Sequence, residues 1–148
     1  MADETREKLV QGTLRDLTPL LSPRSIAVVG ATPDPYRVGG RPLSFLKRFE
    51  FPGPIYPINP KYEEVQGIKC YSSVLDIPQQ VDMAVVAVPA ARVLDVLREC
   101  QTAGIPSLTV YTSGFSEMGA DIPEAIRHFG DKIHFVHFRD VEGAVPNF

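Results

Sequence analysis

Gly30, Ala31 and Thr32 follow the apolar run Ile26-Ala27-Val28-Val29, and a second glycine pair, Gly39-Gly40, precedes the apolar-spaced Leu43, Leu46 and Phe49. Four apolar residues in a row read as a strand buried on both faces, as in a parallel sheet. Strand, glycine-bearing loop and helix together make a phosphate site. Glycine lets backbone approach a ligand, and the free N–H groups and dipole of the helix favour an anion. Asn59-Pro60-Lys61, Val88-Pro89 and Thr112-Ser113-Gly114 each follow a further apolar run. These stretches are small, polar or cationic, and none offers an acid–base pair. A pocket of this kind holds a ligand rather than transforming it.

Other reactive side chains lead elsewhere. His134 and His137 lie three apart on an expected strand, face opposite ways and cannot chelate together, so no metal site is assigned. His128 falls on an expected helix without a neighbour of catalytic type. Cys100 reads as a small core residue, Cys70 as a loop thiol, and Glu63-Glu64 as a solvated helix face.

The elements that must carry the loops alternate between strand and helix. Thr18 reads as an N-cap with Pro19 at the first helical position, and Pro23 ends that turn. Ile55–Ile58 is a second strand, although Pro57 lacks the N–H a central strand would use. Ser73 caps a helical turn that Pro78 closes. Met83–Val88 is a third strand, residues 91–103 an amphipathic helix ended by Gly104, and Ser107–Tyr111 a fourth strand. A last helix is expected over Pro123–Phe129 and a last strand over Ile133–Phe138. Alternation on this scale predicts an α/β fold, a single doubly wound parallel sheet with ligands at the carboxyl ends of its strands.

The totals agree with one soluble domain over residues 1–148: an N-terminal extension to residue 16, a core over 17–120, and a tail from 121. The chain is 44% hydrophobic and 22% charged, ordinary for a globular protein. A net charge of −3 provides no basic field for nucleic acid or for an acidic membrane surface. No apolar run approaches a membrane span. Two isolated cysteines without a signal peptide fit a reducing cytoplasm.

A nicotinamide or flavin dinucleotide needs GxGxxG and an acidic residue after the second strand. Here the loop reads Gly30-Ala31-Thr32-Pro33 and the second strand runs into Lys61. A lysine there suits an extra phosphate, which leaves a 2′-phosphorylated dinucleotide or coenzyme A with its 3′-phosphate.

Four separated segments in register carry a more specific likeness. They are Pro23–Thr32, Gly53–Lys61, Val81–Pro89 and Thr112–Phe115. Over roughly residues 17–120 the chain resembles the CoA-binding domain of the NDP-forming acyl-CoA synthetases, relatives of the succinyl-CoA synthetase α subunit. The resemblance implies a Rossmann-like fold with coenzyme A as ligand. Gly30, Ala31, Thr32, Val38 and Gly39 would hold the CoA phosphates. Asn59, Pro60 and Lys61 would meet the phosphate-rich nucleotide end, while Val88, Pro89, Tyr111, Thr112 and Ser113 would line the cofactor.

Two departures from that family bear on function. The large synthetases carry their phosphorylated histidine and nucleotide-binding machinery in further domains, and no GxxxxGK phosphate loop stands here. The resemblance therefore implies a CoA or acyl-CoA binding module without catalysis of its own, as a homo-oligomer or beside a synthetase partner subunit. An NADP-binding oxidoreductase-like domain and a regulatory synthetase subunit are the alternatives. Second, where the family runs into a Gly-Pro-Asn-Cys-like turn, Lys132–Gly143 is similar to part of mannonate dehydratase, a metal-dependent barrel enzyme. His137 is the better match to that enzyme's metal region, but the remaining ligands are missing. A fused or truncated reading frame, or a chimera, would account for such a tail.

Overall fold

The computed structural model describes residues 16–111 and 135–139. Five parallel strands form one sheet in the order β2-β1-β5-β6-β7. They are β1 (Ile26–Val29), β2 (Ile55–Ile58), β5 (Met83–Val86), β6 (Ser107–Tyr111) and β7 (Phe135–Arg139). A two-stranded antiparallel hairpin, β3 (Glu64–Val65) and β4 (Ile68–Lys69), follows β2. The helices are α1 (Thr18–Leu21), α2 (Arg41–Arg48) and α3 (Ala90–Thr102), with a 3-10 turn at Val74–Asp76.

The sheet is covered on both faces. Val93, Val96, Leu97 and Cys100 of α3 are buried with Ala27, Val29, Ala84, Val86, Leu108 and Val110. Leu43 of α2 is buried with Ile26, Val28, Ala31, Val65 and Cys70. Alternate β1 residues thus serve opposite layers, as a strand between two layers requires. α3 ends as its sequence predicts. Gly104 takes φ +70°, its N–H donates to the Gln101 carbonyl, and the Ile105 N–H donates to the Cys100 carbonyl, a Schellman closure.

Pro57 is accommodated because β2 is an edge strand. Its outward side faces the chain beyond the hairpin, where the Tyr71 N–H donates to the Pro57 carbonyl at 3.0 Å. The inward carbonyls of Pro54 and Ile58 serve β1, so the missing N–H removes no bond from the β1–β2 ladder.

Several expectations are corrected. Thr18 is the first helical residue rather than the cap, and its N–H is taken by the Asp16 carboxylate at 2.9 Å. Phe49 does not join the buried face of α2; it lies six residues, about 120° of helix, from Leu43 and is exposed. Glu63-Glu64 form no helix, since Glu64 opens β3. Cys70 does lie in a loop, just past β4, but its thiol is buried in the core, and desolvation raises its pKa. Cys100 is buried as expected, and desolvation pushes its thiol up to about 12. The last strand starts at Phe135 and runs to Arg139, which pairs with Tyr111. The expected helix over 123–129 lies outside the described residues.

At the amino ends of the strands, Arg24 clamps the entry to β1 onto the entry to β5. Its N–H and Nε donate to Asp82 Oδ2 at 2.9 and 3.1 Å. The Arg24 guanidinium holds the Asp82 carboxyl below its usual pKa. A carboxyl lowered on folding stabilises the fold above its unfolded pKa near 3.8 and loses that contribution as pH falls through the lower folded value. Asp82→Asn is therefore expected to melt below the wild type at pH 7, with the gap between the two melting temperatures closing as pH falls below 3.8. A gap that stays constant with pH would place the effect elsewhere.

Candidate functional site

The chain winds outward from β1 to β2, then restarts on the other side of β1 at β5. The carboxyl ends of β1 and β5 therefore flank a topological switch point, where open α/β sheets bind ligands. Gly30 stands there at φ +84°, a backbone state that side chains rarely adopt. A Cβ on Gly30 would lie 2.2 Å from the Ala87 carbonyl oxygen that follows β5. The loop then returns on itself, so that a Cβ on Gly39 would lie 2.0 Å from the Gly30 carbonyl oxygen. Gly30 thus packs against the Ala87 backbone and the Val88 side chain, and Gly39 against the Gly30 backbone, approaches that leave no room for a side chain on either glycine.

The hydrogen bonds decide which backbone groups face a ligand. The N–H groups of Gly30 and Ala31 donate to the Ile58 carbonyl at 2.9 and 3.2 Å, and those of Gly40 and Arg41 to the Arg37 carbonyl at 3.0 and 2.9 Å. Gly30 and Ala31 contribute shape rather than donors. The N–H groups of Thr32, Val38 and Gly39 make no hydrogen bond to another described residue. The Thr32 hydroxyl is buried, also without a partner among the described residues. Buried polar groups are ordinarily paired, which makes the Thr32 hydroxyl an exception beside a loop with open N–H groups.

Asn59 joins the ends of β1 and β2. Its Nδ2 donates to the Ala31 carbonyl at 2.9 Å, and its Oδ1 accepts from the Lys61 N–H at 3.0 Å. With the Tyr62 N–H donating to the Asn59 carbonyl, residues 59–62 form a turn that leaves Lys61 exposed at the end of β2. Arg37, whose Nε lies 3.5 Å from an Asp34 carboxylate oxygen, adds a second cation to the loop.

The pattern of the CoA binding domain family matches residues 24–136. The chain belongs to that family. Similar proteins include the acetate–CoA ligase [ADP-forming] II of Archaeoglobus fulgidus, 45% identical over 107 residues, which covers 72% of this chain and 16% of that protein. The acetate–CoA ligase [ADP-forming] II subunit alpha of Pyrococcus furiosus is 42% identical over 100 residues, 68% of this chain and 22% of that subunit. A solved structure of the dinucleotide forming acetyl-coenzyme A synthetase 1 of Ca. Korarchaeum cryptofilum, in complex with phosphate and ADP, superposes with a TM-score of 0.75. It is 42% identical and covers 82% of this chain and 26% of that one. This CoA binding domain thus spans between 16% and 26% of the length of these relatives.

Of the residues singled out in the sequence, Gly30, Ala31, Thr32, Gly39, Asn59, Lys61 and Val88 are linked by contacts or hydrogen bonds, and Val38 and Pro60 lie between linked residues. Pro89 caps α3, and Tyr111 ends β6, half-buried. Thr112 and Ser113 lie outside the described residues. The structure adds Gln66, which sequence reading missed. It sits at the hairpin tip, and its side-chain Nε2 donates to the carbonyls of Thr32 and Gly40 at 3.2 and 3.0 Å. Gln-Gly between Val65 and Ile68 was the available signal, weaker than Asn-Gly or Asp-Gly.

An open cavity of about 330 Å³ lies at the other end of the sheet, lined by Val74, Ile77, Gln80, Val81, Thr102 and Ile105 among others. It opens at the amino ends of β5 and β6, away from the glycine loop. No helix among the described residues is long and apolar enough to cross a membrane.

Proposed function

We propose that this CoA binding domain binds coenzyme A or an acyl-CoA at the carboxyl ends of β1, β2, β5 and β6, and that it performs no chemistry alone. The observation that carries the reading is the Thr32 hydroxyl, buried without a partner beside the open N–H groups of Thr32, Val38 and Gly39. Together they form a nest for a pyrophosphate. Lys61 supplies a cation for the 3′-phosphate, and Val88, Pro89 and Tyr111-Thr112-Ser113 line the rest of the ligand. Relatives named as acetate–CoA ligases, of which this chain covers a small share, support a role beside synthetase partner domains or a partner subunit. NADP is disfavoured because the loop lacks GxGxxG and, among the described residues, no side chain at the strand ends suits hydride chemistry.

Calorimetric titration with CoA, dephospho-CoA, NADP and ATP tests the reading. CoA is expected to bind more tightly than dephospho-CoA by about fivefold to tenfold, the equivalent of roughly 1 kcal/mol for a partly exposed lysine–phosphate pair. The preference should shrink as salt rises. Lys61→Ala should weaken CoA and leave dephospho-CoA almost unchanged. Equal losses for both ligands would remove Lys61 from the 3′-phosphate, and tight NADP binding without CoA binding would overturn the proposal.

A further inference from the structure

We infer that Gln66 is a positioning residue for the phosphate-binding loop, holding residues 32–40 in the shape that turns their N–H groups toward the ligand. The inference rests on the CoA-binding reading of that loop. Gln66 and Gly67 are the two central residues of the β3–β4 hairpin, with Val65 paired to Ile68 and φ values of +51° and +81°. This is a type I′ turn, in which glycine, asparagine or aspartate is the favoured residue at the first position. Glutamine is a poor choice for the backbone, so its side chain is what the position uses. Its amide nitrogen donates to Thr32 at the start of the loop and to Gly40 at its end, the N-cap of α2. With two carbonyl acceptors, the amide orientation is fixed by chemistry.

The clasp is anchored at both ends. Val65, next to Gln66, is buried in the α2-side core. The Lys47 ammonium, in the last turn of α2, donates to the Gln66 carbonyl. The hairpin is also tied to the sheet edge, since Tyr71, just beyond β4, bridges to Ile58 of β2. Thr32 and Gly40 bracket the open N–H groups of Val38 and Gly39. Drawing the two carbonyls outward onto Gln66 leaves the intervening N–H groups free to converge on an anion, at a lower ordering cost when the ligand arrives.

Gln66→Gly separates the clasp from the turn. Glycine suits φ +51° better than glutamine, so the hairpin keeps or gains stability while the two amide bonds are lost. The measurements on the 148-residue chain are melting temperature, amide hydrogen exchange over residues 32–40 without ligand, and CoA affinity. The expected result is an unchanged or raised melting temperature, faster exchange in the loop, and CoA binding weakened threefold to tenfold. Gln66→Asn, which also suits the turn but is one methylene too short to reach both carbonyls, should behave alike. Wild-type exchange and affinity in Gln66→Gly would overturn the inference. So would a melting temperature that falls in step with affinity, which marks a merely structural residue. If the wild type binds no CoA, the functional proposal fails, and unchanged loop exchange in the variant would separately remove the clasp.

Discussion

Gly39→Ala is expected to weaken CoA binding on the order of a hundredfold while leaving most of the fold's stability in place. An added Cβ would lie 2.0 Å from the Gly30 carbonyl oxygen, a backbone atom with no rotamer to escape into. Either the Val38-Gly39 segment or the Gly30 turn must shift by about an ångström to reach an ordinary contact. Gly30 is already fixed against Ala87, so the Val38-Gly39 segment is the part that moves. Those two residues carry open N–H groups of the proposed phosphate nest. Losing two hydrogen bonds to a charged group costs roughly 3 kcal/mol, which is about two decades in affinity. Val38 is exposed and Gly39 belongs to neither apolar core cluster, so the melting temperature should fall by only a few degrees. An affinity within threefold of the wild type would show that this segment does not hold the ligand.

The fold was legible where burial alone decides local structure. β1, β2 and β6 fall on the predicted residues, and the buried face of α3 is the predicted one. These segments are packed on a covered sheet, and their apolar runs have no other stable arrangement. Reading failed where the deciding partner is distant in sequence. Nothing near Cys70 says that its thiol lies against the Asn59 carbonyl under the α2 layer. The hairpin of Glu64–Lys69 was hidden because each strand is two residues long, too short to show alternation.

The candidate site was legible as a set of loops but not as a set of donors. Glycine spacing marks where backbone can approach, and in the structure Gly39 packs against the Gly30 carbonyl. It does not say which N–H groups remain open. That depends on the Ile58 carbonyl, which occupies the N–H groups of Gly30 and Ala31 from the neighbouring strand. Gln66 escaped for the same reason. Its role follows from where a hairpin tip lands against a loop about thirty residues earlier, a tertiary fact without a local signature.

Leu43→Ala is expected to carry the largest stability cost, roughly 2–5 kcal/mol. Leu43 is wholly buried and is the one fully buried residue that α2 contributes. An eight-residue helix has little stability in isolation, so α2 holds its place by packing. Truncating Leu43 opens a void among Ile26, Val28, Ala31 and Val65; the backbones of Ile26, Val28 and Val65 belong to the sheet and hairpin and relax poorly. For a chain of this size the loss corresponds to a melting temperature lower by roughly 10 °C. CoA affinity should fall as well, because Gly40, where the glycine loop ends, is the N-cap of α2. Leu46→Ala is the contrast. That side chain is only half-buried against the same cluster, so its removal should cost less than half as much and leave the loop in place. Equal costs for the two variants would mean that α2 is held by its exposed contacts, and that the order in the phosphate-binding loop does not come from the core beneath it.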